Sequence, residues 1–363
     1  MKLVVFGLAV SSSWGNGHAT LWRGLITALN QLGHRVVFFE RDQPWYAGAR
    51  DLTALPGGEL VIYPSWGAVR ERARRELADA DAAMLTSYCP DAAEARRTML
   101  DSRAMPVFYD LDTPVTLEHI AAGERPEWIG PGLESFDLIL SYAGGPALEA
   151  LHHLGARRTA PLYGHVDPDS YRPAAAEPRF SAALSWLGTF AEDRQAALEA
   201  LFIEPARRRP DLSFLIGGAQ YPADFPWTTN IRFARHVAPP EHPAFLCSAR
   251  LNLNITRAPM ARMGWCPSGR LFEASACAAP LLSDHWPGLE DFYQPGGEIL
   301  VARSTADALA ALELADAELR RIGRAARERT LAEHTSLHRA RELVARLEEA
   351  RHPRAEALIE EEV

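Results

Sequence analysis

Between residues 268 and 291 the chain gathers side chains suited to holding an anion and a diol: Ser268, Gly269, Arg270 and Glu273, then Gly288, Leu289 and Glu290. Ser268 and Gly269 are helix N-cap types, and Leu271, Phe272 and Ala276 begin a core-facing stripe, so a helix starts here. Its N-terminus offers free N–H groups and a partial positive charge to a diphosphate. Arg270, in the first turn, adds a planar guanidinium that matches phosphate oxygens. Glu273, one turn on, has acceptors for the two hydroxyls of a ribose; the plainer alternative is a solvated helix carboxylate. Pro280 ends the helix, and residues 281–283 read as a short buried strand. The loop after it therefore lies at a strand's carboxyl end, where open α/β sheets bind ligands.

Other positions converge on the same chemistry. Gly188 and Thr189 follow an apolar run as a phosphate-facing turn. Arg257 leaves another strand toward the central stretch, and Arg262 is a weaker third arginine. The chain has one lysine, Lys2. A Walker-type phosphate lysine and an internal Schiff-base lysine are therefore excluded. A phosphate here must rest on arginine, backbone N–H groups or a metal. The four cysteines, Cys89, Cys247, Cys266 and Cys277, include no CxxC pair and give no zinc signature, which fits a reduced, cytoplasmic protein. A net charge of −9 argues against a nucleic-acid surface, and no apolar run is long enough for a membrane span.

The elements that must position these residues alternate as strand and helix. Residues 2–8 read as a buried strand, 11–20 as a polar loop, 20–32 as a helix and 35–40 as a second strand, a βαβ unit of right-handed crossover. The loop carries Gly15, Asn16, Gly17 and His18. Its glycines lie too far past the strand for a GxGxxG fingerprint, but Glu40 closes the second strand and leaves a dinucleotide-binding enzyme as an alternative. His18 is either a general base or an ordinary helix-terminal residue. Asp110 and Asp112 follow the strand at 106–110. They read as a metal-binding pair or, better, with Asp112 as N-cap of the helix at Pro114. Gly144 and Gly145 form either an anion nest or a tight turn. A proline-rich connection at 162–173 contains His165, a loose tract follows at 174–178, and α/β alternation resumes at 183. One long helix is expected over 330–350, with a frayed tail at 353–363.

The central stretch resembles the nucleotide-sugar motif of GT-B glycosyltransferases. Together with the run Phe108-Tyr-Asp-Leu-Asp-Thr-Pro114, it is similar to the spore-maturation CgeB-type glycosyltransferases. The resemblance implies an α/β protein of two Rossmann-like domains facing a cleft: 1–165 on the acceptor side, 166–334 for the nucleotide sugar, and a C-terminal helix within 335–363 crossing back. It implies that Glu273 holds the ribose, that Gly288, Leu289 and Glu290 contact the donor sugar, and that Gly188, Thr189, Arg257, Ser268, Gly269 and Arg270 hold the diphosphate. His18 matches in placement the base of some inverting families. Gly15, Asn16, Gly17, Asp110, Asp112 and His165 would line the acceptor side. Neither metal nor cofactor is expected, the nucleoside-diphosphate sugar being a substrate, and the acceptor would be a glycan, a small molecule or a protein. Many retaining members carry a glutamate eight positions before the helix glutamate; here that position is Trp265. A sugar-nucleotide epimerase, a non-catalytic sugar-nucleotide-binding or coat-assembly protein, and an NAD enzyme are the alternatives.

Overall fold

The structure, a computed structural model, describes residues 1–351. The chain divides into two units, Met1–Tyr163 with the segment from Leu337 onward, and Gly164–Ser336. The first unit is built on seven strands: β1 (Lys2–Gly7), β2 (Arg35–Arg41), β3 (Glu59–Tyr63), β4 (Ala82–Thr86), β5 (Met105–Asp110), β6 (Leu138–Ser141) and β7 (Thr159–Pro161). All pair in parallel, in the order β3-β2-β1-β4-β5-β6-β7. A parallel sheet is covered by helices on both faces, so its inner strands are apolar throughout. Leu3, Val4, Val5 and Phe6 of β1 are accordingly all buried, as is every residue of β4.

The second unit repeats the plan with β8 (Ala182–Leu187), β9 (Phe214–Gly218), β10 (Ile231–Arg235), β11 (Ala249–Asn254), β12 (Leu281–Asp284) and β13 (Leu300–Ala302). Their parallel order is β10-β9-β8-β11-β12-β13. Each sheet winds outward in two directions. The reversal falls between β1 and β4 in the first unit and between β8 and β11 in the second. Loops at those two points splay apart and leave room for a ligand.

The structure departs from the sequence-based expectations in three places. β7 has no apolar run to announce it. The helix after β8 contains a π-helical turn, Glu199–Ile203, just before Pro205. Proline lacks an N–H and crowds the carbonyl four residues back, and the wider turn accommodates both. The single helix expected over 330–350 is broken. One helix, Asp316–Glu333, ends before His334, and another, Ser336–Arg351, follows. At the break Thr335 bridges to Val166 and the Ser336 N–H donates to the Val166 carbonyl at 2.8 Å, tying the backbone where a continuous helix would leave no free groups. Beyond it, Arg158 donates to the Ala350 carbonyl at 2.7 Å and Arg351 pairs with Asp81 at 2.7 Å. The expected tail at 353–363 lies outside the described residues.

The helix Gly269–Ala276, which carries Arg270 and Glu273, is backed by the helix Asp316–Glu333. An added Cβ at Gly323 would stand 2.3 Å from the carbonyl oxygen of Ala278, just past the end of the helix Gly269–Ala276. Backbone cannot swing aside as a flexible side chain does. Gly323→Ala is therefore expected to destabilise the protein by about 1–3 kcal/mol through overpacking, read as a lowered urea midpoint; an unchanged midpoint would show that the two helices separate freely.

Candidate functional site

The second unit's reversal point is where the charged side chains meet. The loop after β8 carries Asp193 and Arg194, and the loop after β11 carries Arg257. Arg270 stands in the first turn of the helix Gly269–Ala276. Arg194 feels the other two guanidinium groups: burial makes its proton harder to hold, Asp193 opposes that, and Arg257 and Arg270 add to it. Arg194 is held by the Thr189 carbonyl at 2.9 Å and lies 5.6 Å from the Trp186 ring centroid, while its buried Nε has no partner. Arg257 donates from Nε to Asp193 at 3.0 Å.

This geometry changes the reading of several residues. The carbonyls at Gly188 and Thr189 are engaged, by the Tyr221 hydroxyl at 3.0 Å and by Arg194, so the turn's evident work is to place Arg194. Ser268 caps the helix as its type implies, but its Oγ already accepts the Arg270 N–H at 3.3 Å, and its carbonyl accepts the Leu271 N–H. Arg270 and Glu273 are not independent: Nη1 lies 2.7 Å from the carboxylate, with side chains only 17% and 13% exposed. The Arg270 Nε is buried without a partner. Glu273 is thus neither free nor a solvated surface charge. It is an oriented carboxylate with acceptor capacity remaining, since an ionised carboxylate has about four lone-pair directions.

The loop after β12 is set by a close approach of backbone to indole. Gly288 has a φ of 83°, and a Cβ there would stand 2.5 Å from the Trp265 ring nitrogen. Trp265 donates from its backbone to the Pro287 carbonyl at 2.8 Å and from Nε1 to Asp291 at 2.7 Å. Leu289 is fully buried, so its side chain belongs to the core and only its backbone is available to a ligand. Glu290 is exposed, with His285 3.9 Å away. Asp284 accepts from both the backbone N–H and the hydroxyl of Thr256 at about 3 Å. Burial pushes it up to about 6 against those bonds.

In the first unit the reversal point lies between the loops after β1 and β4. Glu40 is fully buried and accepts the Val10 and Ser11 N–H groups at 2.7 and 2.9 Å, with the Ser11 hydroxyl on its other oxygen. Both oxygens are used in tying down the β1 loop, so Glu40 is not a ribose-binding acid. Asn16 is buried too: its amide donates to the Ala9 carbonyl at 3.0 Å and its oxygen caps the helix Gly17–Gln31 through the His18 N–H at 3.2 Å. It shapes the loop rather than lining a site. Gly15, with a φ of 61°, and Gly17 are exposed around it. His18 presents Nε2 3.8 Å from Asp112 Oδ1, and its ring lies beside that of Tyr88, centroids 6.3 Å apart.

Two acidic candidates separate sharply. Asp112 occupies the N-cap position of the helix Thr113–Ala121, but its side chain caps nothing and turns to His18. Asp110 is fully buried; Oδ1 accepts the Asp112 N–H at 3.1 Å and the Thr116 hydroxyl at 3.2 Å. It is a scaffold for the turn, not a wall of a ligand site. His165 is likewise buried, with Nδ1 2.9 Å from the Ser336 hydroxyl inside the second unit. Gly144 leaves space for the Tyr163 hydroxyl, a tight packing contact rather than a nest. Among the described residues no three His, Cys, Asp or Glu side chains converge as a metal site would require.

Two parallel doubly wound sheets, each with charged side chains at its reversal point, narrow the architecture, and comparison with known structures decides it. A sucrose-phosphate synthase from Thermosynechococcus elongatus superposes with a TM-score of 0.69 at 14% identity, over 96% of this chain and 98% of that one. Anabaena HepE, solved with UDP and glucose, gives 0.67 at 11% identity over 96% and 99%. An α-glucosyltransferase solved with UDP and DNA gives 0.66 at 11% over 96% and 99%. The fold is that of the GT-B glycosyltransferases. Residues 194–345 also match the family described as Glycosyl transferase-like. No curated protein matches the chain by sequence.

That match begins at Arg194, the residue that sequence reasoning missed. Its loop reads as an ordinary polar connection, and only strand order shows that β8 is central and that its loop meets the one after β11. A second omission is Tyr171 with His242. Tyr171 looks like a linker residue, yet it is buried, with its hydroxyl 3.0 Å from His242 Nδ1.

Burial pushes the Asp110 carboxyl up to about 6, against hydrogen bonds from Asp112 and Thr116. A carboxyl whose folded-state value is above its unfolded one holds its proton more firmly when folded. Its contribution to stability is therefore greatest below about pH 4 and is lost as pH rises through 6. Asp110→Asn should remove that dependence and raise stability at pH 7.5 relative to wild type, by on the order of 1–3 kcal/mol. Urea titrations at pH 4.5 and 7.5 test this; an unchanged pH slope in the variant would mean that Asp110 is ionised in the fold without cost.

Proposed function

We propose that this chain transfers a glycosyl group from a nucleoside-diphosphate sugar to an acceptor hydroxyl. The observation that carries the reading is the meeting of Arg194, Arg257 and Arg270 at the reversal point of the second sheet, beside Glu273. In the reaction the bond from the anomeric carbon to the diphosphate oxygen breaks and a bond to the acceptor oxygen forms. Negative charge grows on the departing nucleoside diphosphate. Guanidinium groups already fixed in place stabilise that charge without reorganising at the moment of transfer. Arg270 serves two partners, Nη1 toward Glu273 and the rest of its fork toward phosphate. Glu273 takes the ribose hydroxyls. The backbone at Gly288 and Leu289, with Glu290, meets the donor sugar.

His18 is the base for an inverting reaction. Asp112 faces Nε2, which orients the ring and leaves Nδ1 to receive the acceptor's proton. The 3.8 Å separation is longer than a hydrogen bond and would close with substrate in place. The reading extends to hexosyl transfer, to a metal-independent and cofactor-free enzyme of the cytoplasm, and to the CgeB type, on the run from Phe108 to Pro114. The acceptor is a glycan, a small molecule or a protein.

Calorimetry with UDP, ADP, GDP and CDP is the first test. Arg194→Ala and Glu273→Ala should each weaken binding of the preferred nucleotide by about 1–3 kcal/mol, the cost of losing a charge-assisted hydrogen bond. Unchanged affinity in Arg194→Ala would remove the observation on which the reading rests. EDTA should leave binding intact. Incubation with the matching nucleotide sugar and no acceptor distinguishes an epimerase, which would return isomerised sugar.

His18→Ala should lower transfer by on the order of 10²–10⁴ while nucleoside-diphosphate affinity stays within roughly threefold. The product's anomeric configuration, read by NMR, must be inverted. Retention, or near-normal turnover of the variant, would take His18 out of the chemistry.

A further inference from the structure

A cavity of about 220 Å³ opens in the first unit, past the carboxyl ends of β4 and β5. The rings of Tyr88 and Trp128 line it, their centroids 4.7 Å apart at 52°. Val115 and His119, on the helix Thr113–Ala121, line it as well, with Glu124 and Arg125 just after that helix. His119 Nδ1 lies 2.8 Å from Glu124, and both side chains are exposed, as is Arg125. The cavity thus joins half-buried rings to an exposed polar rim.

Tyr88 connects this cavity to the imidazole of His18. The two rings lie side by side, and His18 Nε2 is turned to Asp112, the residue before the helix that lines the cavity. Tyr88 holds a φ of 65°, which is uncommon for a bulky residue. The backbone on either side enforces it. The Ser87 N–H donates to the Tyr109 carbonyl at 3.1 Å, and the Cys89 N–H to the Thr86 carbonyl at 3.4 Å. Residues held in such conformations cluster at ligand sites.

We propose that this cavity holds the acceptor, and that the acceptor is a single pyranose ring stacked against Trp128 and Tyr88 with one hydroxyl toward His18. The inference rests on the reading of the chain as a glycosyltransferase with His18 as its base. A pyranose presents a face of C–H groups, whose slight positive charge suits the negative face of an aromatic ring. Its hydroxyls lie around the edge and need polar partners, which Glu124, His119 and Arg125 supply. A cavity of about 150 Å³ holds one benzene ring, so the space here suits one sugar ring and not two. An acyl chain or a flat phenol would leave the charged rim unmatched. In the transfer step the hydroxyl proton passes to His18 Nδ1 and the hydroxyl oxygen bonds the anomeric carbon. The diphosphate leaves with the electron pair of the bond that breaks.

The test is binding to the full chain, loaded with whichever of UDP, ADP, GDP and CDP it prefers. Saturation-transfer NMR compares the methyl pyranosides of glucose, galactose, mannose and N-acetylglucosamine with 4-methylumbelliferone and a serine-containing peptide. At least one pyranoside should bind, with its ring C–H protons saturated most strongly. Trp128→Leu keeps an apolar side chain against the core and removes the ring, and should weaken that binding about tenfold. Glu124→Ala, at an exposed position, should weaken it about threefold; it carries the test if Trp128→Leu does not fold, which melting temperatures show. The bound pyranoside should then take up glucose, galactose, mannose or N-acetylglucosamine from the matching nucleotide sugar. No pyranoside binding, tighter binding of the phenol or the peptide, or unchanged affinity in the folded variant would overturn the inference and leave the donor site standing. Transfer to none of the bound pyranosides would overturn their role as acceptor. A chain that binds none of the nucleoside diphosphates would overturn the glycosyltransferase reading itself, and the acceptor assignment with it.

Discussion

Guanidinium groups repel one another, and a site that draws Arg194, Arg257 and Arg270 together must offset that repulsion or stay open. Asp193 and Glu273 do part of the work, each paired with one arginine. Among the described residues Arg194 has no carboxylate ion-pair partner, although burial makes its charge costly. Removing a charge from water is tolerable when an opposite charge replaces the solvent. Two negative charges in the array face three positive ones, so the surplus is positive where the buried Nε groups of Arg194 and Arg270 lack partners. Such a surplus would favour an anion beside it. The Thr189 carbonyl and the Trp186 ring both hold Arg194, while Asp193 holds Arg257 and Glu273 holds Arg270.

The topology makes such an array possible. In a doubly wound sheet the helices after β8 and β11 lie on opposite faces, and their preceding loops diverge. Residues from separate parts of the chain reach one place without threading past each other. The first unit uses the same opening differently. There Glu40, wholly consumed by backbone N–H groups and a hydroxyl, clamps the loop after β1 and presents His18 at the start of its helix. One opening gathers positive charge; the other holds a single imidazole against a carboxylate.

Most strands were legible because parallel strands buried on both faces must be apolar runs, as at β1, β2 and β8. β7 was not, since three residues pairing at the edge need no such run. Helix starts were legible where the cap chemistry is explicit, as at Ser268. The break at His334–Thr335 was not, because a bridge to Val166, far away in sequence, makes it. Arg270 and Glu273 stood out by type, but as separate ligands; their ion pair, which i,i+3 spacing allows, came only with the structure. Arg194 stayed hidden because strand order is written in no local pattern. Asn16 and His165 were placed by neighbourhood in the sequence, and burial reassigns both to structural work; of Leu289 it takes only the side chain into the core.

Asp110 and Asp112 show how finely that distinction falls. Both are aspartates at the carboxyl end of one strand, two positions apart. β5 ends with Asp110 still inside the sheet's covering layer, so its carboxyl meets the next turn of backbone and Thr116. Asp112 lies past the strand, at the helix start, where the cap position usually draws an aspartate side chain onto the N–H groups of the first turn. Asp110 instead takes the Asp112 N–H and braces the turn from below. The Asp112 carboxylate, spared that duty, turns outward to His18. A buried acid braces the turn while the neighbouring acid faces the imidazole, and the same pair of residues that resembles a metal motif becomes one scaffold and one candidate partner in proton transfer.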